Sequence, residues 1–379
     1  MASGAREVLV VLHEHTLGGA SQSVLRVAPK LEERGWRFAF WVPRPSPLHD
    51  DLMGRGLEVA GAPRHIDFGL RALLAPPGAF RRAASWAPYL RDFRRFVRAR
   101  RPELVHANSV TTVVEGLAGR RSGAATLMHC HEVVPRGLRG AAIRRSAWTR
   151  LDGVAAVSGA SADTLAWKGR RPAVVYEAAP IPPHPVAIRD RPSPFRIGMV
   201  GAVSRRKGSD VLVDAAERLL ASGDDIQIEI VGAPEPGRDA GWAERVLARA
   251  RAAGVTHTER ADVAERMGRW DGFVLPSRRD PCPIAMLEAM AAGLPVIGAA
   301  VDGIPEQIAP GCGFLVEADA PLHLAAAIRR IAALGAPERA RMGRGARARV
   351  AAEFSLDRQA AGLEAAYEAA LRASWERRS

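Results

Sequence analysis

One stretch in the second half of the chain constrains the fold more than any other. Residues 273–298 read FVLPSRRDPCPIAMLEAMAAGLPVIG. The apolar runs at its two ends predict short strands that are covered on both faces. The segment between them predicts a helix that begins near Pro283, because proline suits a first helical turn, and ends at Gly293, which suits a left-handed cap. This strand–loop–helix–strand order predicts a parallel sheet with helices on its faces.

Two carboxylates flank the start of the predicted helix. Asp280 lies in the loop before it, and Glu288 lies in its second turn. A loop that enters a helix presents free N–H groups and the positive end of the helix dipole, which together attract phosphate. Carboxylates repel phosphate, but they accept hydrogen bonds from the hydroxyls of a ribose or a hexose. The pattern therefore predicts a site for a nucleotide diphosphate sugar.

The same stretch resembles the signature of a known family, the retaining glycosyltransferases of family 4, which have the GT-B fold. The resemblance lies in an acid, seven further residues, Glu288 and the segment AMAAGLPV that follows it. It implies that Asp280 contacts the hexose and that Glu288 contacts the ribose. The family usually has glutamate at the first acid, so the shorter Asp280 either draws this contact back or marks a different donor sugar. A plain βαβ unit, with Asp280 as a helix cap and Glu288 in solvent, is the alternative.

Short apolar runs alternate with helical patterns on both sides of a proline-rich segment at residues 181–194. This alternation predicts an α/β protein with one parallel sheet in each half. The resemblance implies two Rossmann-like domains that face each other across a cleft, with a C-terminal helix that crosses back. We place an acceptor-side domain at residues 1–185, a nucleotide-sugar-binding domain at 195–353, and a helix that packs back on the first domain at 354–379. The predicted strands of the first half are 7–13, 37–42, 58–60, 104–107, 125–129, 153–157 and 173–175, and its helices are 21–34, 80–100, 110–120 and 160–167.

Candidate site residues of the first half follow predicted strands, at the sheet edge where open α/β folds bind ligands. Gly18 and Gly19 form a turn before a helix, where backbone can approach a phosphate closely. In the family the matching glycine pair faces the donor diphosphate, and a simple tight turn is the alternative. Asn108 follows the strand predicted at residues 104–107 and opens a helix.

His131 and Glu132 follow another predicted strand and resemble the family's pair of histidine and acid, which faces the reacting sugar. This resemblance implies that His131 hydrogen-bonds the hexose and the acceptor. Ser158 matches a serine at the same place in the family. A zinc site at His129 and His131 is the alternative, but a pair at i, i+2 without a nearby third ligand suits zinc poorly.

In the second half, Lys207 and Gly208 resemble the family's Lys-Gly pair, which follows a Gly-Arg pair after a short spacer. Ala202 stands where the family has that arginine, so either Arg205 or Arg206 supplies its charge or the phosphate clamp is weaker. Cations at the end of a strand predict a clamp for a diphosphate, and a solvated basic loop is the alternative.

Further candidates for substrate binding lie at two places in the second half. Arg260 lies in a region that resembles the family's nucleobase site, where contacts come largely from the backbone. The remaining candidates surround the predicted phosphate seat and are Pro281, Cys282, Pro283 and Ile284.

The chain has 379 residues and a net charge of +13, mostly from arginine. A high arginine content often reflects a GC-rich genome. The alternative is that the positive charge attracts anionic substrates or an anionic membrane. No zinc-finger spacing, RNP-like aromatic motif or lysine tail favours nucleic acid. There is no apolar run of 18 residues, the run at residues 8–12 is too short for a signal peptide, and the three cysteines are widely spaced. We therefore expect a cytoplasmic protein.

Residues 80–101 predict an amphipathic basic helix, in which aromatic and aliphatic residues recur at helical spacing among arginines. Such a helix either lies on an anionic membrane or packs its apolar stripe against a sheet. The first possibility predicts peripheral membrane association, and the second predicts an ordinary surface helix.

These features predict a retaining hexosyltransferase with a nucleotide diphosphate sugar as donor and a hydroxyl acceptor in an envelope polysaccharide, a lipid-linked glycan or a natural product. The candidate catalytic residues are His131, Asp280 and Lys207. The resemblance implies that the enzyme needs no metal and no cofactor. The loops that would read the acceptor, around residues 43–80 and 132–150, carry no motif that we can interpret.

Two other functions stay open. A sugar-nucleotide epimerase on the same fold would need no acceptor, and the pair of acids with seven residues between them argues against it. A non-catalytic GT-B scaffold or binding protein is the other alternative. It is favoured by three departures from the family pattern, at Ala202, Asp280 and Glu177.

Overall fold

The computed structural model describes residues 6–62, 79–190, 192–235 and 240–379. The chain divides into two compact units. Unit 1 comprises Met1–Tyr176 and Leu356–Ser379, and unit 2 comprises Glu177–Ser355. In the described residues each unit has one sheet with parallel strands and with helices packed on it, which confirms the predicted α/β class.

Unit 1 has a sheet in the order β3-β2-β1-β4-β5-β6-β7. Its strands are β1 (Arg6–Val11), β2 (Trp36–Pro43), β3 (Val59–Ala62), β4 (Leu104–Ala107), β5 (Ala125–Cys130), β6 (Gly153–Ala156) and β7 (Ala173–Val174). Its helices are α1 (Gly19–Glu32), α2 (Pro47–Gly54), α3 (Ala79–Arg100), a 3-10 helix (Val110–Thr112), α4 (Val113–Arg121), α5 (Leu138–Arg150), α6 (Gly159–Leu165) and α14 (Leu356–Glu376).

Unit 2 has a sheet in the order β10-β9-β8-β11-β12-β13. Its strands are β8 (Phe195–Val200), β9 (Ile226–Val231), β10 (Thr256–Thr258), β11 (Gly272–Leu275), β12 (Val296–Ala299) and β13 (Gly313–Val316). Its helices are α7 (Ser209–Ala221), α8 (Ala240–Ala252), α9 (Val263–Met267), α10 (Ile284–Ala291), α11 (Ile304–Gln307), α12 (Pro321–Ala333) and α13 (Ala336–Glu353).

Strand β1 shows how the sheet of unit 1 is buried on both faces. Val8 and Val10 belong to an apolar cluster that includes residues of α1 and α14, whereas Leu9 and Val11 belong to a second cluster that includes residues of α3. Because successive side chains point to opposite faces of a strand, an uninterrupted apolar run is what a sheet covered on both sides requires.

Helix α14 belongs to unit 1 although it follows unit 2 in sequence. The Tyr367 ring packs edge-on against Trp36 of β2, with ring centroids 5.1 Å apart. The Gln359 side chain donates a 2.8 Å hydrogen bond to Ser23 of α1. The helix therefore covers one face of the first sheet together with α1.

Residues 177–185, which the sequence analysis assigned to the first domain, belong to unit 2. The Pro182 carbonyl accepts a hydrogen bond from Arg347 of α13. The Val186 N–H, just beyond this segment, donates to the Ala292 carbonyl at 2.7 Å. The proline-rich segment is thus held against the second unit by its backbone, a contact that composition does not reveal.

The basic helix predicted at residues 80–101 is α3. Its apolar stripe packs on the sheet of unit 1, where Tyr89, Phe93 and Val97 are each at most 1% exposed. The side chains of Arg81 and Arg82 lie outside the described residues. The second possibility for this helix therefore accounts for its apolar stripe, and membrane association stays a prediction. Among the described residues, no helix is long and apolar enough to cross a membrane.

Two helices lie in the loops that carried no motif. Helix α2 begins at Pro47, and its cap is the Ser46 hydroxyl, which accepts the His49 N–H at 3.1 Å. The buried residues of helix α5 are Gly140, Ile143 and Ala147, so small residues make most of its packing face and leave little hydrophobic periodicity. Residues 63–78 of the first of these loops lie outside the described part of the chain.

Candidate functional site

The order of the strands locates one binding edge in each unit. In unit 1, β2 and β3 lie on one side of β1, and the chain then continues on its other side with β4. In unit 2, β9 and β10 lie on one side of β8, and the chain then continues on its other side with β11. Open parallel sheets bind ligands beyond the carboxyl ends of their strands at such switch points. Most of the predicted site residues lie in the segments that follow these strands, whereas His131 and Glu132 follow β5, Ser158 follows β6 and Arg260 follows β10.

At the edge of unit 1, His131 and Asn108 form a directional pair. The Asn108 side-chain nitrogen donates to the Ala20 carbonyl at 2.9 Å, which turns its oxygen toward His131. That oxygen lies 3.0 Å from His131 Nε2, so Nε2 carries the proton and donates it. Asn108 is therefore a residue that orients His131, and it is itself only 1% exposed.

Glu132 is tied into the backbone beside this pair. Its carboxylate accepts the N–H groups of Val110 at 3.2 Å and His131 at 3.1 Å, and it also accepts the Ser109 hydroxyl. These bonds fix the turn that opens the 3-10 helix. The structure gives Glu132 this local role, and a contact with substrate stays a prediction.

Ser158 has a comparable local role. It is fully buried, and its hydroxyl oxygen accepts the Ser161 N–H at 3.1 Å as the cap of α6. Its predicted contact with substrate is therefore not supported by an accessible side chain.

The loop after β1 holds an acid that the sequence analysis did not single out. The Glu14 carboxylate accepts the Ser21 N–H at 3.0 Å and the Ser21 hydroxyl. A Cβ on Gly18 would lie 2.0 Å from Glu14 Oε1, whereas a Cβ on Gly19 would meet nothing within 4 Å. Gly18 thus makes room for an internal carboxylate, and Gly19 alone offers the open approach predicted for the pair.

Behind the edge of unit 1, two histidines are buried without charge. His106 lies at the end of β4 and shares a 2.9 Å hydrogen bond with the Tyr367 hydroxyl, and burial lowers its pKa to about 3. Burial also lowers the pKa of His129 far below its usual value. The centroid of the His129 ring is 5.6 Å from that of His106 and 4.5 Å from that of His131. The His131 ring therefore packs against the uncharged ring of His129.

At the edge of unit 2, Lys207 and Asp280 form an ion pair. The Lys207 Nζ atom lies 2.7 Å from Asp280 Oδ2, and the Ser277 hydroxyl donates to the same oxygen at 3.1 Å. The two side chains are only 13% and 6% exposed. Both residues are predicted donor-site residues, and their spacing in the sequence does not indicate that they bind each other.

Gly208 permits the loop after β8, which carries Lys207, to approach the loop after β11, which carries Asp280. Gly208 has φ +69°, and a Cβ there would lie 2.0 Å from the Pro276 carbonyl oxygen. A side chain at this position would be strained in its backbone and would also collide with the loop after β11. Lys207 therefore reaches Asp280 because the next residue is glycine.

The two arginines beside Lys207 contact groups other than Asp280. The Arg205 guanidinium lies over the Trp242 ring, 5.0 Å from its centroid. Arg206 donates to the Arg279 carbonyl at 3.5 Å. Both are exposed, and the contact of either arginine with a donor diphosphate stays a prediction.

Helix α10 presents one accessible face beside the ion pair. Glu288 and Ile284 are half-buried and lie one turn apart on the same face, whereas Met286 and Leu287 are fully buried. Pro281 is half-buried at the helix entrance. Cys282 and Pro283 are buried, and the Gln307 side-chain nitrogen donates to the Cys282 Sγ atom and to the Pro283 carbonyl, each at 3.3 Å. Glu288 and Ile284 can thus meet a ligand, while residues 282 and 283 shape the helix start.

Arg260 is exposed in the segment after β10. Its predicted contact with a nucleobase stays a prediction. Within the ranges that the structure describes, no three histidine, cysteine, aspartate or glutamate side chains come together in a way that could hold a metal ion.

Comparison with known proteins identifies the family. A family described as "Glycosyltransferase Family 4" matches residues 17–178, and a second, described as "Glycosyl transferases group 1", matches residues 194–333. This chain belongs to the group 1 glycosyltransferases of family 4. The predicted family is therefore confirmed in both halves of the chain.

Solved structures identify the fold of this group 1 glycosyltransferase as GT-B. Anabaena HepE, solved in complex with UDP and glucose, is 18% identical with a TM-score of 0.79, over 94% of this chain and 98% of that one. The sucrose-phosphate synthase of Thermosynechococcus elongatus is 20% identical with a TM-score of 0.78, over 96% of this chain and 98% of that one. The predicted fold class is thus confirmed.

Curated relatives match the group 1 glycosyltransferase over a shorter length. The D-inositol 3-phosphate glycosyltransferase of Geodermatophilus obscurus is 36% identical over 184 residues, which is 45% of this chain and 39% of the relative. The match thus spans about two fifths of that relative's length.

Proposed function

We propose that this chain transfers a hexose from a nucleotide diphosphate sugar to a hydroxyl acceptor, with retention at the anomeric carbon. The observation that carries the proposal is the Lys207–Asp280 pair, 2.7 Å apart at the switch point of unit 2. It brings a cation suited to a diphosphate next to an acid suited to a sugar hydroxyl. Family membership and the UDP-glucose complex of the similar Anabaena protein support the same donor class.

Lys207 is proposed to stabilise the diphosphate as it leaves. Charge builds up on the leaving phosphate in the transition state, and a fixed cation in a half-buried site lowers the energy of that charge. The free N–H groups at the start of α10 add to this effect. Since the Asp280 carboxylate already balances Lys207, an incoming diphosphate must share or replace that partner.

The two acids are proposed to hold the sugars of the donor. Glu288 lies on the accessible face of α10 and accepts hydrogen bonds from the ribose hydroxyls. Asp280 lies before the helix and accepts hydrogen bonds from the hexose. Asp280 precedes the start of α10 in the chain and Glu288 follows it, so the proposal seats the diphosphate at the helix start, between the two sugars.

His131 is proposed to act at the edge of unit 1. Because Asn108 holds the proton of His131 at Nε2, the ring has one defined orientation in which to meet the hexose or the acceptor hydroxyl. No residue is assigned as a nucleophile. The family resemblance implies attack on the same face from which the diphosphate leaves, with the leaving phosphate taking the proton of the acceptor.

The first test is a thermal shift of the purified protein with UDP, GDP, ADP and dTDP, followed by their sugars. A ligand at a hundred times its Kd stabilises the folded state by about 2.7 kcal/mol. Stabilisation by one nucleotide, with a further increase for one of its sugars, supports the proposal and names the donor. No response to any nucleotide overturns it in favour of a scaffold.

The second test follows transfer itself. The named donor is incubated with hydroxyl acceptors, beginning with inositol phosphate because the relative in Geodermatophilus obscurus is named for it, and the product is examined by NMR. An α-linked product from an α-linked donor supports retention. Inversion of one stereocentre in the sugar of the donor, in the absence of an acceptor, points to an epimerase. Activity that survives a chelator supports the predicted independence from metal.

A further inference from the structure

Asp302 holds an unusual backbone conformation next to the proposed donor site. It follows β12, the strand beside β11, and has φ +44°. Its side chain is only 14% exposed. Glycine adopts a left-handed backbone at lower cost than an L residue with a side chain. The aspartate side chain at this position must therefore contribute something that glycine would not.

The contacts of Asp302 show what it contributes. Its Oδ2 atom accepts the Asp280 N–H at 2.8 Å and Arg279 Nε at 3.1 Å. The next residue, Gly303, donates its N–H to the Asp280 carbonyl at 3.2 Å. Both backbone polar groups of Asp280 are thus bound by the loop after β12.

The side chain of Asp280 is held separately, by Lys207 and Ser277. A donor that takes Lys207 as its partner weakens this restraint, whereas the backbone bonds to residues 302 and 303 do not involve groups that bind the donor. Asp280 is also one methylene shorter than the glutamate usual in the family. The position of a shorter side chain depends more directly on its backbone, so the loop after β12 sets where the carboxylate can reach.

We propose that Asp302 is a positioning residue, which fixes the backbone of Asp280 so that its carboxylate meets the hexose of the donor. This inference rests on the proposed function, since it assigns the role through Asp280. It adds to the site a residue that lies 22 positions further along the chain and acts through the backbone of Asp280.

The chain offers a matched control in Asp319. This residue also has a left-handed backbone, with φ +57°, and it pairs with Arg278, the neighbour of the arginine that Asp302 binds. Its side chain is 59% exposed, and the bonds described for the Asp280 backbone come from residues 302 and 303. Asp302→Gly and Asp319→Gly therefore remove the same kind of ion pair and relieve the same kind of backbone conformation.

The experiment measures kcat and KM for transfer from UDP-glucose, or from the donor that the nucleotide series identifies, together with the Kd of the matching nucleoside diphosphate and the Tm. Asp302→Gly is expected to lower kcat/KM by roughly 10- to 100-fold, as loss of a hydrogen bond to a charged acceptor does. Its affinity for the nucleoside diphosphate, which lacks the hexose, is expected to be kept. Asp302→Asn is expected to recover part of the loss, because asparagine tolerates a left-handed backbone and its amide oxygen still accepts the Asp280 N–H.

Three outcomes decide the matter. Equal kcat/KM for Asp302→Gly and Asp319→Gly overturns the positioning role. So does a parallel fall in Tm, nucleotide affinity and kcat in Asp302→Gly, because that pattern indicates general loss of structure. If the wild-type protein itself neither binds nor transfers from any nucleotide sugar, the proposed function fails, and the role of Asp302 fails with it.

Discussion

At the carboxyl edge of unit 2, Lys207 and Asp280 lie 2.7 Å apart as an ion pair. At the equivalent edge of unit 1, His131 donates a hydrogen bond to the neutral Asn108, and the buried His106 and His129 behind it are uncharged. The two edges come from sheets with the same kind of switch point but use different interactions. An ion pair can exchange one partner for a charged ligand, whereas a hydrogen bond to a neutral amide fixes the direction of the His131 ring. The comparison suggests that unit 2 supplies charge stabilisation and unit 1 supplies orientation.

The largest expected effect is at the ion pair. Lys207→Ala removes the cation from the diphosphate and also leaves the Asp280 carboxylate buried without its partner. We expect kcat/KM to fall about 10²- to 10³-fold, the size found when one transition-state contact is lost. Steady-state kinetics of Lys207→Ala, Asp280→Ala and the double variant measure this loss. The double variant should lose less than the two single losses combined, because neither charge is then left without its partner. Fully additive losses would show that the ion pair does not couple the two residues.

The next effect is a pH dependence of stability that arises from a buried acid in the core of unit 1. Glu115 is fully buried, accepts the Tyr89 hydroxyl at 2.9 Å, and burial raises its pKa to about 7. Because the folded state holds this proton more tightly than the unfolded state, the stability it gives is present below about pH 4.5 and is lost as the pH rises to about 7. The loss amounts to about 3 kcal/mol, at about 1.4 kcal/mol for each pH unit between the two pKa values.

Urea unfolding of the wild type and Glu115→Gln at several pH values measures this effect. Glutamine keeps the acceptor for Tyr89 and cannot ionise, so the variant should gain stability relative to the wild type as the pH rises from 5 to 8. A constant difference between the two proteins across that range contradicts the assignment.

A smaller effect separates the roles of the two edges. Asn108→Leu removes the bond that orients His131 and leaves unit 2 unchanged. We expect kcat to fall about tenfold, the effect of one hydrogen bond, while the Kd for the nucleoside diphosphate stays the same. Lys207→Ala should instead weaken nucleotide binding. If Asn108→Leu weakens nucleotide binding as much as Lys207→Ala does, the division between charge and orientation is wrong.

The smallest expected effect concerns the support behind His131. Tyr367→Phe leaves the buried Nδ1 atom of His106 without its 2.9 Å hydrogen bond. The free energy of unfolding should fall by about 1–2 kcal/mol, the cost of a buried group left unbonded. The double variant Tyr367→Phe/His106→Leu should recover part of this loss, since it removes both polar partners. Urea denaturation of the three proteins gives the comparison.

The spacing of residues in the sequence predicts the helix entrance of unit 2 but not the contacts that hold it, for a physical reason. Asp280, Glu288 and the start of α10 lie within one short segment, so their spacing alone places them around a helix entrance. The bond between Asp280 and Asp302 depends on the register of two neighbouring strands and on a left-handed backbone at residue 302. Neither is visible in spacing.

In unit 1, the sequence placed His131 and Asn108 at strand ends but did not predict their mutual bond or the role of Glu14. Tyr367 reaches His106 across 261 positions of sequence, a contact that no local pattern encodes. The expected role of Arg205 and Arg206 depended on counting cations in a loop. In the structure the Arg205 guanidinium lies over Trp242 and Arg206 donates to the Arg279 carbonyl, and a count of cations does not reveal these contacts.

The place of α14 has a consequence for how the chain is made. The apolar cluster beneath α1 includes Ala360, Leu363 and Ala370 of this helix, which leave the ribosome only after all of unit 2 has been synthesised. Unit 1 therefore emerges first but waits with one face of its sheet incompletely covered. A chaperone that binds exposed apolar strands would find its substrate in that interval, and a nascent chain stalled before residue 356 would stay in it.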